Sequence, residues 1–121
     1  MPLGKVVECR QFEFTPNPVT SGQTVKFALE LGAKQRTQLV ECCILIYSAY
    51  GQRVAIIDLR KPTGQFTVGP DAPFRCSGEV RDLPLVEGEY RVGLFMQCSD
   101  YYGDYHDLAQ LTVSAGTKAG D

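Results

Sequence analysis

The segment LPLVEGEYRVGLFMQ, residues 83–97, decides the fold class that this chain is expected to adopt. From residue 90 onward, apolar side chains alternate with other side chains, which is the period of a strand with one buried face. The predicted inward positions are Tyr90, Val92, Leu94 and Met96, and the predicted outward positions are Arg91, Gly93, Phe95 and Gln97. The sequence Gly88-x-Tyr90 immediately before this strand resembles the tyrosine corner of immunoglobulin-like sandwiches. The segment therefore predicts a core strand of such a sandwich.

The same alternation recurs along the rest of the chain, where Gly, Pro, Asn and Asp interrupt it about every ten residues. In TVKFALEL, residues 24–31, the apolar residues Val25, Phe27 and Leu29 share one face. In SAYGQR, residues 48–53, Gly51 can supply the positive φ of a hairpin turn. The predicted strands are Val6–Phe14, Thr24–Leu31, Leu39–Ala49, Arg53–Arg60, Gln65–Val68, Phe74–Leu83, Gly88–Gln97 and His106–Ser114.

We predict an all-β fold, an immunoglobulin-like antiparallel β-sandwich of about eight strands. The 121 residues suffice for one domain with a buried core, and we place this domain at residues 1–115. Residues 116–121 are small or polar and are expected to form a flexible tail. The chain contains no Trp, and Val92 occupies the position where antibody domains carry a Cys two residues after the corner Tyr. This difference argues against an extracellular immunoglobulin domain.

Cysteine usage indicates a reducing compartment. The five cysteines form no Cys-x-x-Cys pair, and adjacent Cys42 and Cys43 would point to opposite faces of a strand. That arrangement suits neither a disulfide between them nor a shared metal. The N-terminal sequence MPLGKVVECR lacks the apolar run of a signal peptide. We therefore expect reduced thiols in a cytosolic protein.

Charge and hydropathy argue against two classes of partner. The chain has 12 Lys and Arg against 14 Asp and Glu, dispersed along its length, for a net charge of -2. Nucleic-acid backbones are held by clustered basic surfaces, so we expect no nucleic-acid partner. The longest apolar run, Cys42–Tyr47, is far shorter than the roughly 20 residues that a membrane-spanning helix needs. Neither the phosphate-loop pattern GxxxxGK(S/T) nor the hydrolase pattern GxSxG occurs.

The stretch CSDYYGDYHDLAQLTV, residues 98–113, gathers Tyr, Asp and the single His of the chain. Cys98 and His106 form a candidate catalytic pair, but the aspartates between and beside them would raise the thiol pKa rather than lower it. Asp100, Asp104, His106 and Asp107 are candidate metal ligands, yet the calcium-loop spacing is not matched, and zinc sites use two or more His or Cys. We therefore expect no catalytic residue, no metal and no cofactor, and we interpret the aspartates as solvating and capping a loop.

Four further segments occur in a characteristic order and spacing. They are SGQTVKFALEL (residues 21–31), ILIYSAYGQRV (44–54), LPLVEGEYRVGL (83–94) and YHDLAQLTV (105–113), in which an acidic residue leads into an Ala-x-apolar-x-Val pattern. Together they extend over most of residues 20–114 and resemble the C-terminal domain of Wzt, the ATPase subunit of O-antigen polysaccharide ABC exporters. The nucleotide-binding half that precedes this domain in the family has no counterpart in the 121 residues.

The resemblance implies a non-catalytic carbohydrate-binding module that recognises an O-antigen polysaccharide through its modified non-reducing end. In such exporters the domain passes the glycan to the membrane channel. The implied partners are the O-antigen glycan, a second copy of the chain in a homodimer, an ATPase domain and a membrane permease. The implied location is cytoplasmic, at the inner face of the bacterial inner membrane.

Carbohydrate binding also agrees with the residue types of the tyrosine-rich stretch. Sugars present apolar C–H faces, which pack against aromatic rings, and hydroxyl groups, which hydrogen-bond Arg, Asp, Gln and His side chains. We expect a loop carrying Tyr101, Tyr102 and Tyr105 beside the outward face of residues 88–97, with a dent in that face at Gly93. The candidate carbohydrate-binding residues are Tyr101, Tyr102, His106, Arg91, Gln97, Arg60 and Tyr47.

An alternative from a different class is a structural or dimerisation sandwich that has no glycan ligand. In that case the outward Phe95 and Leu45 would form the partner surface. An exposed tyrosine-rich loop beside Arg-bearing strands would favour carbohydrate binding, whereas a flat apolar face would favour the alternative. Tyr90 has the sequence position of a corner residue, and we leave it out of the candidate site.

Overall fold

The computed structural model describes residues 2–3, 7–59, 66–98 and 102–115, and within these ranges all regular secondary structure is β. The strands are β1 (Pro2–Leu3), β2 (Val7–Thr15), β3 (Val19–Thr20), β4 (Val25–Ala33), β5 (Thr37–Ser48), β6 (Arg53–Asp58), β7 (Phe66–Val68), β8 (Phe74–Val80), β9 (Gly88–Cys98) and β10 (Tyr102–Ser114). The described part of the chain contains no helix that could span a membrane. The predicted all-β class is confirmed, while the predicted tail at residues 116–121 lies outside the described residues.

Two sheets form the sandwich. Sheet I has the strand order β1-β2-β4-β8, and sheet II has the order β3-β10-β9-β5-β6, with β7 also paired to β5. Among the described strands the pairs are antiparallel, except that β10 runs parallel to β3. Eight of the strands correspond to the predicted segments, whereas the two-residue strands β1 and β3 are additional. The predicted antiparallel sandwich of about eight strands is confirmed.

The core between the sheets is built from the inward positions that the alternation predicts. It includes Val25, Phe27, Leu29 and Leu31 of β4 and Tyr90, Val92, Leu94 and Met96 of β9. Cys42 is buried in this core, whereas adjacent Cys43 pairs with Phe95 on the opposite side of sheet II, as expected for neighbouring residues of a strand. Burial of each large apolar side chain contributes about 1.5–3 kcal/mol, and this is the main term that holds the sheets together.

The tyrosine corner and the hairpin turn are both present. The Oη of buried Tyr90 donates a hydrogen bond to the carbonyl oxygen of Val86 at 2.7 Å and so ties β9 to the segment before it. Gly51 has a φ of 83° in the turn between β5 and β6, and its N–H donates to the Ser48 carbonyl oxygen at 2.9 Å. Both features are local in sequence, and they position strands that carry the candidate site.

The last strand differs from its prediction. β10 begins at Tyr102, and so most of the predicted loop is a strand paired with β9. The register shifts between Tyr105 and Ala109, where residues 106–108 stand opposite the single residue Gly93. A bulge of this kind breaks the alternation by which a strand is recognised in a sequence, which explains why the prediction placed the start of the strand inside the bulge.

Candidate functional site

The outward side of sheet II, called the outer face, is the surface on which the sequence places the candidate site. Across it the register pairs β5 with β9 as Glu41–Gln97, Cys43–Phe95, Leu45–Gly93 and Tyr47–Arg91. Arg91 and Gln97 are exposed, as predicted, and Phe95 is half-buried. The face therefore carries polar or charged groups towards both ends and apolar groups in the middle.

The predicted dent at Gly93 is wrong. The bulge of β10 lies on this residue, because a Cβ at position 93 would collide with the carbonyl oxygen of Tyr105. Gly93 is buried, and Leu45 beside it on β5 is only 3% exposed although it points away from the core. The missing side chain thus makes room for a close backbone approach rather than for a ligand.

The bulge brings His106 and Asp107 to the end of the outer face that carries Tyr47 and Arg91. The rings of Tyr47 and His106 have centroids 5.1 Å apart and are tilted by 58°. The Nε of Arg91 lies 3.7 Å from Oδ1 of Asp107, and Arg91 is the register partner of Tyr47. We call these four residues the outer-face cluster. Three of them, Tyr47, Arg91 and His106, are predicted site residues.

Asp107 is the member of the cluster that is absent from the predicted carbohydrate-binding residues, although it is one of the four candidate metal ligands. It has a φ of 57°, in the left-handed region that Asp tolerates better than most other residues. An Asp at a break in the alternation is therefore the signal that could have located it. The side chains of Arg91 and Asp107 are both 61% exposed, and such ion pairs contribute on the order of 0–1 kcal/mol. Either group can therefore exchange its partner for a ligand at little cost.

Tyr105 and Cys98 lie on the other side of sheet II from the cluster. Tyr105 pairs with inward Leu94 and packs half-buried against the core, where burial and, to a lesser extent, Cys98 raise the pKa of its phenol. Cys98 is buried in the core, while His106 is exposed on the outer face. The candidate catalytic pair of Cys98 and His106 is therefore not formed, because the sheet separates the two side chains. Tyr105 is likewise no longer a candidate sugar-binding tyrosine, because it packs against the core.

Burial shifts the pKa of two of the described thiols. Burial raises the pKa of the Cys42 thiol, with further contributions from Cys43 and other nearby acidic groups. Burial also raises the pKa of Cys9. A raised pKa keeps a thiol protonated and weakly nucleophilic. Within the described ranges, no group of three or more His, Cys, Asp or Glu residues is arranged to hold a metal ion.

Tyr102 and Gln97 are the other predicted site residues within the described part of the chain, and their strand positions lie away from the cluster. Tyr102 pairs with Gln97 in backbone register at the opposite end of the outer face. The distance along β9 from Arg91 to Gln97 is roughly 20 Å, at about 3.3 Å per residue. Arg60 and Tyr101 lie outside the described residues. The described candidates thus divide into a compact cluster and a pair of positions well removed from it.

A second concave surface, on the outward side of sheet I, was not predicted. It is a depression of about 460 Å³ lined by Thr15, Lys26, Phe27, Ala28, Ser77, Gly78 and Glu79. Its floor is low because the register partners Ala28 and Ser77 are both small. Small outward residues on neighbouring strands are the sequence signal that could have located it. Its lining carries a single aromatic ring, that of the core residue Phe27, whereas the outer-face cluster carries the rings of Tyr47 and His106.

Solved structures share the fold of this chain at low sequence identity. The C-terminal domain of wzt superposes with a TM-score of 0.68 at 14% identity, over 92% of this chain and 75% of that chain. The sporulation control protein Spo0M from Bacillus subtilis gives a TM-score of 0.62 at 12% identity, over 92% of this chain and 50% of that chain. The Pseudomonas fluorescens alkylpurine DNA glycosylase AlkC, bound to DNA containing an abasic site analog, gives a TM-score of 0.57 at 16% identity, over 93% of this chain and 31% of that chain.

These likenesses establish the fold and nothing finer. No protein-family model matches the sequence, and no curated protein matches it significantly. The chain spans about half the length of Spo0M and about a third of that of the glycosylase. The chain is therefore a β-sandwich with the fold of the C-terminal domain of wzt, in agreement with the resemblance noted from the sequence.

Proposed function

We propose that this domain is a non-catalytic carbohydrate-binding module. The observation that carries the proposal is the outer-face cluster, in which an aromatic ring, an imidazole, a guanidinium and a carboxylate stand side by side. His106, Arg91 and Asp107 are exposed, and Tyr47 is half-buried. The fold shared with the C-terminal domain of wzt supports the proposal, as does the resemblance of four sequence segments to that family.

Each member of the cluster has a distinct part in sugar recognition. The half-buried Tyr47 offers an aromatic surface for the C–H groups of a sugar ring, and its contact with the His106 ring restricts its rotamer. Arg91 donates hydrogen bonds and Asp107 accepts them, so the pair matches the hydroxyl groups of a sugar. If the glycan carries a carboxylate or phosphate, Arg91 can bind it with two parallel hydrogen bonds. Gln97, roughly 20 Å along β9, would contact another sugar residue of the same glycan.

Calorimetric titration of the purified domain with the O-antigen polysaccharide of its source strain tests the site. Tyr47→Ala and Arg91→Ala are each expected to weaken binding about ten-fold or more, which is ~1.4 kcal/mol. Matched controls are Tyr50→Ala, at a tyrosine that is 97% exposed in the neighbouring turn, and Arg75→Ala on sheet I. Both controls should retain the wild-type affinity. Equal affinities in all four variants would place the site elsewhere, and a folded wild type that binds no glycan would refute carbohydrate binding.

We further propose that the domain recognises the modified non-reducing end of an O-antigen polysaccharide. It would do so as a homodimer at the cytoplasmic face of the bacterial inner membrane, together with an ATPase domain and a membrane permease. Titration with polysaccharide from which the terminal residue has been removed separates end recognition from recognition of the repeat. Loss of binding is expected, whereas undiminished binding would contradict recognition of the end.

A structural or dimerisation module is the second candidate function. The edge strand β6 favours it, because Val54 and Ile56 are 43% and 54% exposed, and Phe95 on the outer face is half-buried. Sedimentation equilibrium of the wild type and of Ile56→Lys tests this candidate. A wild-type dimer that dissociates in the variant, combined with no glycan binding, would replace the carbohydrate-binding proposal. A wild-type monomer would exclude the dimerisation module.

A further inference from the structure

An apolar cavity lies between the two sheets at the side where β6 and β8 are the edge strands. Its volume is about 200 Å³. Sheet II contributes Ile46, Ala55 and Ile57, sheet I contributes Val25 and Val80, and the segment from Leu83 to Leu85 closes one side. Because β6 and β8 belong to different sheets, no backbone hydrogen bonds join them, and the interior can open to solvent between them.

The lining contains no polar side chain. A water molecule takes up about 30 Å³ and needs two to four polar partners, which these side chains do not offer. Protein interiors are otherwise packed to near crystalline density, with few spaces larger than one water. A space of about 200 Å³ with this lining therefore matches an apolar ligand rather than solvent.

The lining of the cavity favours a chain over a ring. Its lining extends from β6 at the edge of sheet II to Leu111 on β10, with β5 and β9 between them. Three strand spacings correspond to roughly 14 Å between the outermost strand axes. A hydrocarbon chain can adapt by bond rotation to a space of about 200 Å³ that side chains from several strands line, whereas a rigid ring system cannot.

The mouth of the cavity is reachable from solvent. Pro84 lines the cavity from an exposed position, and the half-buried Ala55 and Ile57 line it from the edge strand β6. Val86, which follows the buried Leu85, is also exposed. An apolar rim of this kind lets a hydrocarbon enter without passing a charged group on the lining.

We propose that this cavity binds the aliphatic chain of a free, medium-length fatty alcohol or fatty acid. The chain extends between the sheets, and its polar end remains in solvent at the mouth beside Pro84. The site is separate from the outer-face cluster, which lies on the other side of sheet II. The proposal is therefore independent of whether the domain binds a glycan.

A homologous series of primary alcohols, from 1-butanol to 1-decanol, tests the proposal by NMR titration of the side-chain methyl groups. The methyl signals of Ile46, Ile57 and Val80 are expected to shift. The affinity should rise about four-fold for each added methylene, which is ~0.8 kcal/mol, until the chain fills the cavity, and should then level off. An affinity that does not increase with chain length would overturn the proposal.

Filling the cavity provides the second arm of the test. Ala55→Leu places three more carbons in the space and should reduce 1-hexanol binding at least ten-fold. Val80→Phe fills the same space from the opposite sheet and serves if Ala55→Leu does not fold. The matched control is Ala28→Leu, which adds the same atoms to the outward side of sheet I and should leave binding unchanged. Wild-type affinity in a folded Ala55→Leu variant would refute the site, as would binding to phosphatidylcholine vesicles but not to the free alcohols.

Discussion

Gly32 on sheet I and Gly93 on sheet II occupy comparable positions, since both are buried outward positions of a central strand. A Cβ at Gly32 would meet the guanidinium of Arg10, which is the far end of a flexible side chain. A Cβ at Gly93 would meet the backbone of Tyr105. A buried glycine on the outside of a sheet thus marks a place where another group lies close to its Cα. Whether a larger residue can be accommodated depends on that group, because a flexible side chain can move aside and a backbone segment cannot.

The charged groups on the outward sides of the two sheets also differ, in how closely they pair with one another. On sheet I, Arg75 Nε contacts Glu30 Oε1 at 2.8 Å, and Arg10 Nη1 lies 4.0 Å from Glu30 Oε2. These charges compensate one another within the sheet. On sheet II, the distance from Arg91 Nε to Asp107 Oδ1 is 3.7 Å, which is longer than the Arg75–Glu30 contact, and both side chains are 61% exposed, whereas Glu30 is 21% exposed. The pair also lies beside the Tyr47 ring. The sheet II pair therefore has more capacity left for a ligand than the sheet I network.

The largest expected effect comes from adding a methyl group at Gly93, and the same change at Gly32 is the comparison. Gly93→Ala should lower the free energy of unfolding by about 3 kcal/mol, because the backbone of the bulge must move. Gly32→Ala should cost less than about 1 kcal/mol, because the Arg10 side chain can change rotamer. Urea denaturation of both variants measures the difference. Equal losses would mean that the bulge is as easily displaced as a side chain.

Removing an apolar side chain from under the bulge tests how well it covers the outer face. Leu45→Ala should lower the free energy of unfolding by about 2–3 kcal/mol, since Leu45 is as buried as a core residue. Val54→Ala on the exposed edge strand β6 is the control and should cost less than about 1 kcal/mol. If the two variants were equally stable, the outer face would be open at Leu45.

The Cys42 thiol, on the inner side of sheet II, makes the stability of the fold depend on pH. Its pKa is raised above 9.0 in the folded state, mainly by burial. Above about pH 9 the thiol therefore ionises in the unfolded chain and stays protonated in the native one. The contribution of Cys42 to the free energy of unfolding is thus constant below about pH 9. Above about pH 9 it falls by up to about 1.4 kcal/mol per pH unit. Cys42→Ala should remove this part of the alkaline slope. If the free energies of unfolding of the wild type and of Cys42→Ala fell equally with pH above about pH 9, this expectation would be wrong.

The smallest expected effect concerns the ion pairs themselves. A double-mutant cycle of Glu30→Ala and Arg75→Ala should give a coupling energy below about 1 kcal/mol, since the Arg75 side chain is 73% exposed. The equivalent cycle for Arg91 and Asp107 should give a still smaller value, because the two groups are farther apart and Asp107 is more exposed than Glu30. A larger coupling for Arg91 and Asp107 would show that the cluster is committed to its own internal contact.

Fold class and the inward or outward direction of most strand residues followed from local sequence. Side-chain direction alternates with position along a strand, so the pattern in β4 and β9 predicted which residues are buried without any knowledge of strand partners. The tyrosine corner at Tyr90 and the turn at Gly51 are likewise confined to a few consecutive residues. The exposure of Arg91 and Gln97 could also be predicted from local sequence.

Long-range pairing decided the candidate site. Tyr47, Arg91 and His106 belong to β5, β9 and β10, and the register of these strands brings them together. The bulge opposite Gly93 turned a predicted loop into a strand, filled the predicted dent and added Asp107. The cavity between β6 and β8 depends in the same way on how two separate sheets meet. Strand register and sheet packing arise from contacts between distant segments, and such contacts leave no periodic signal within any one of them.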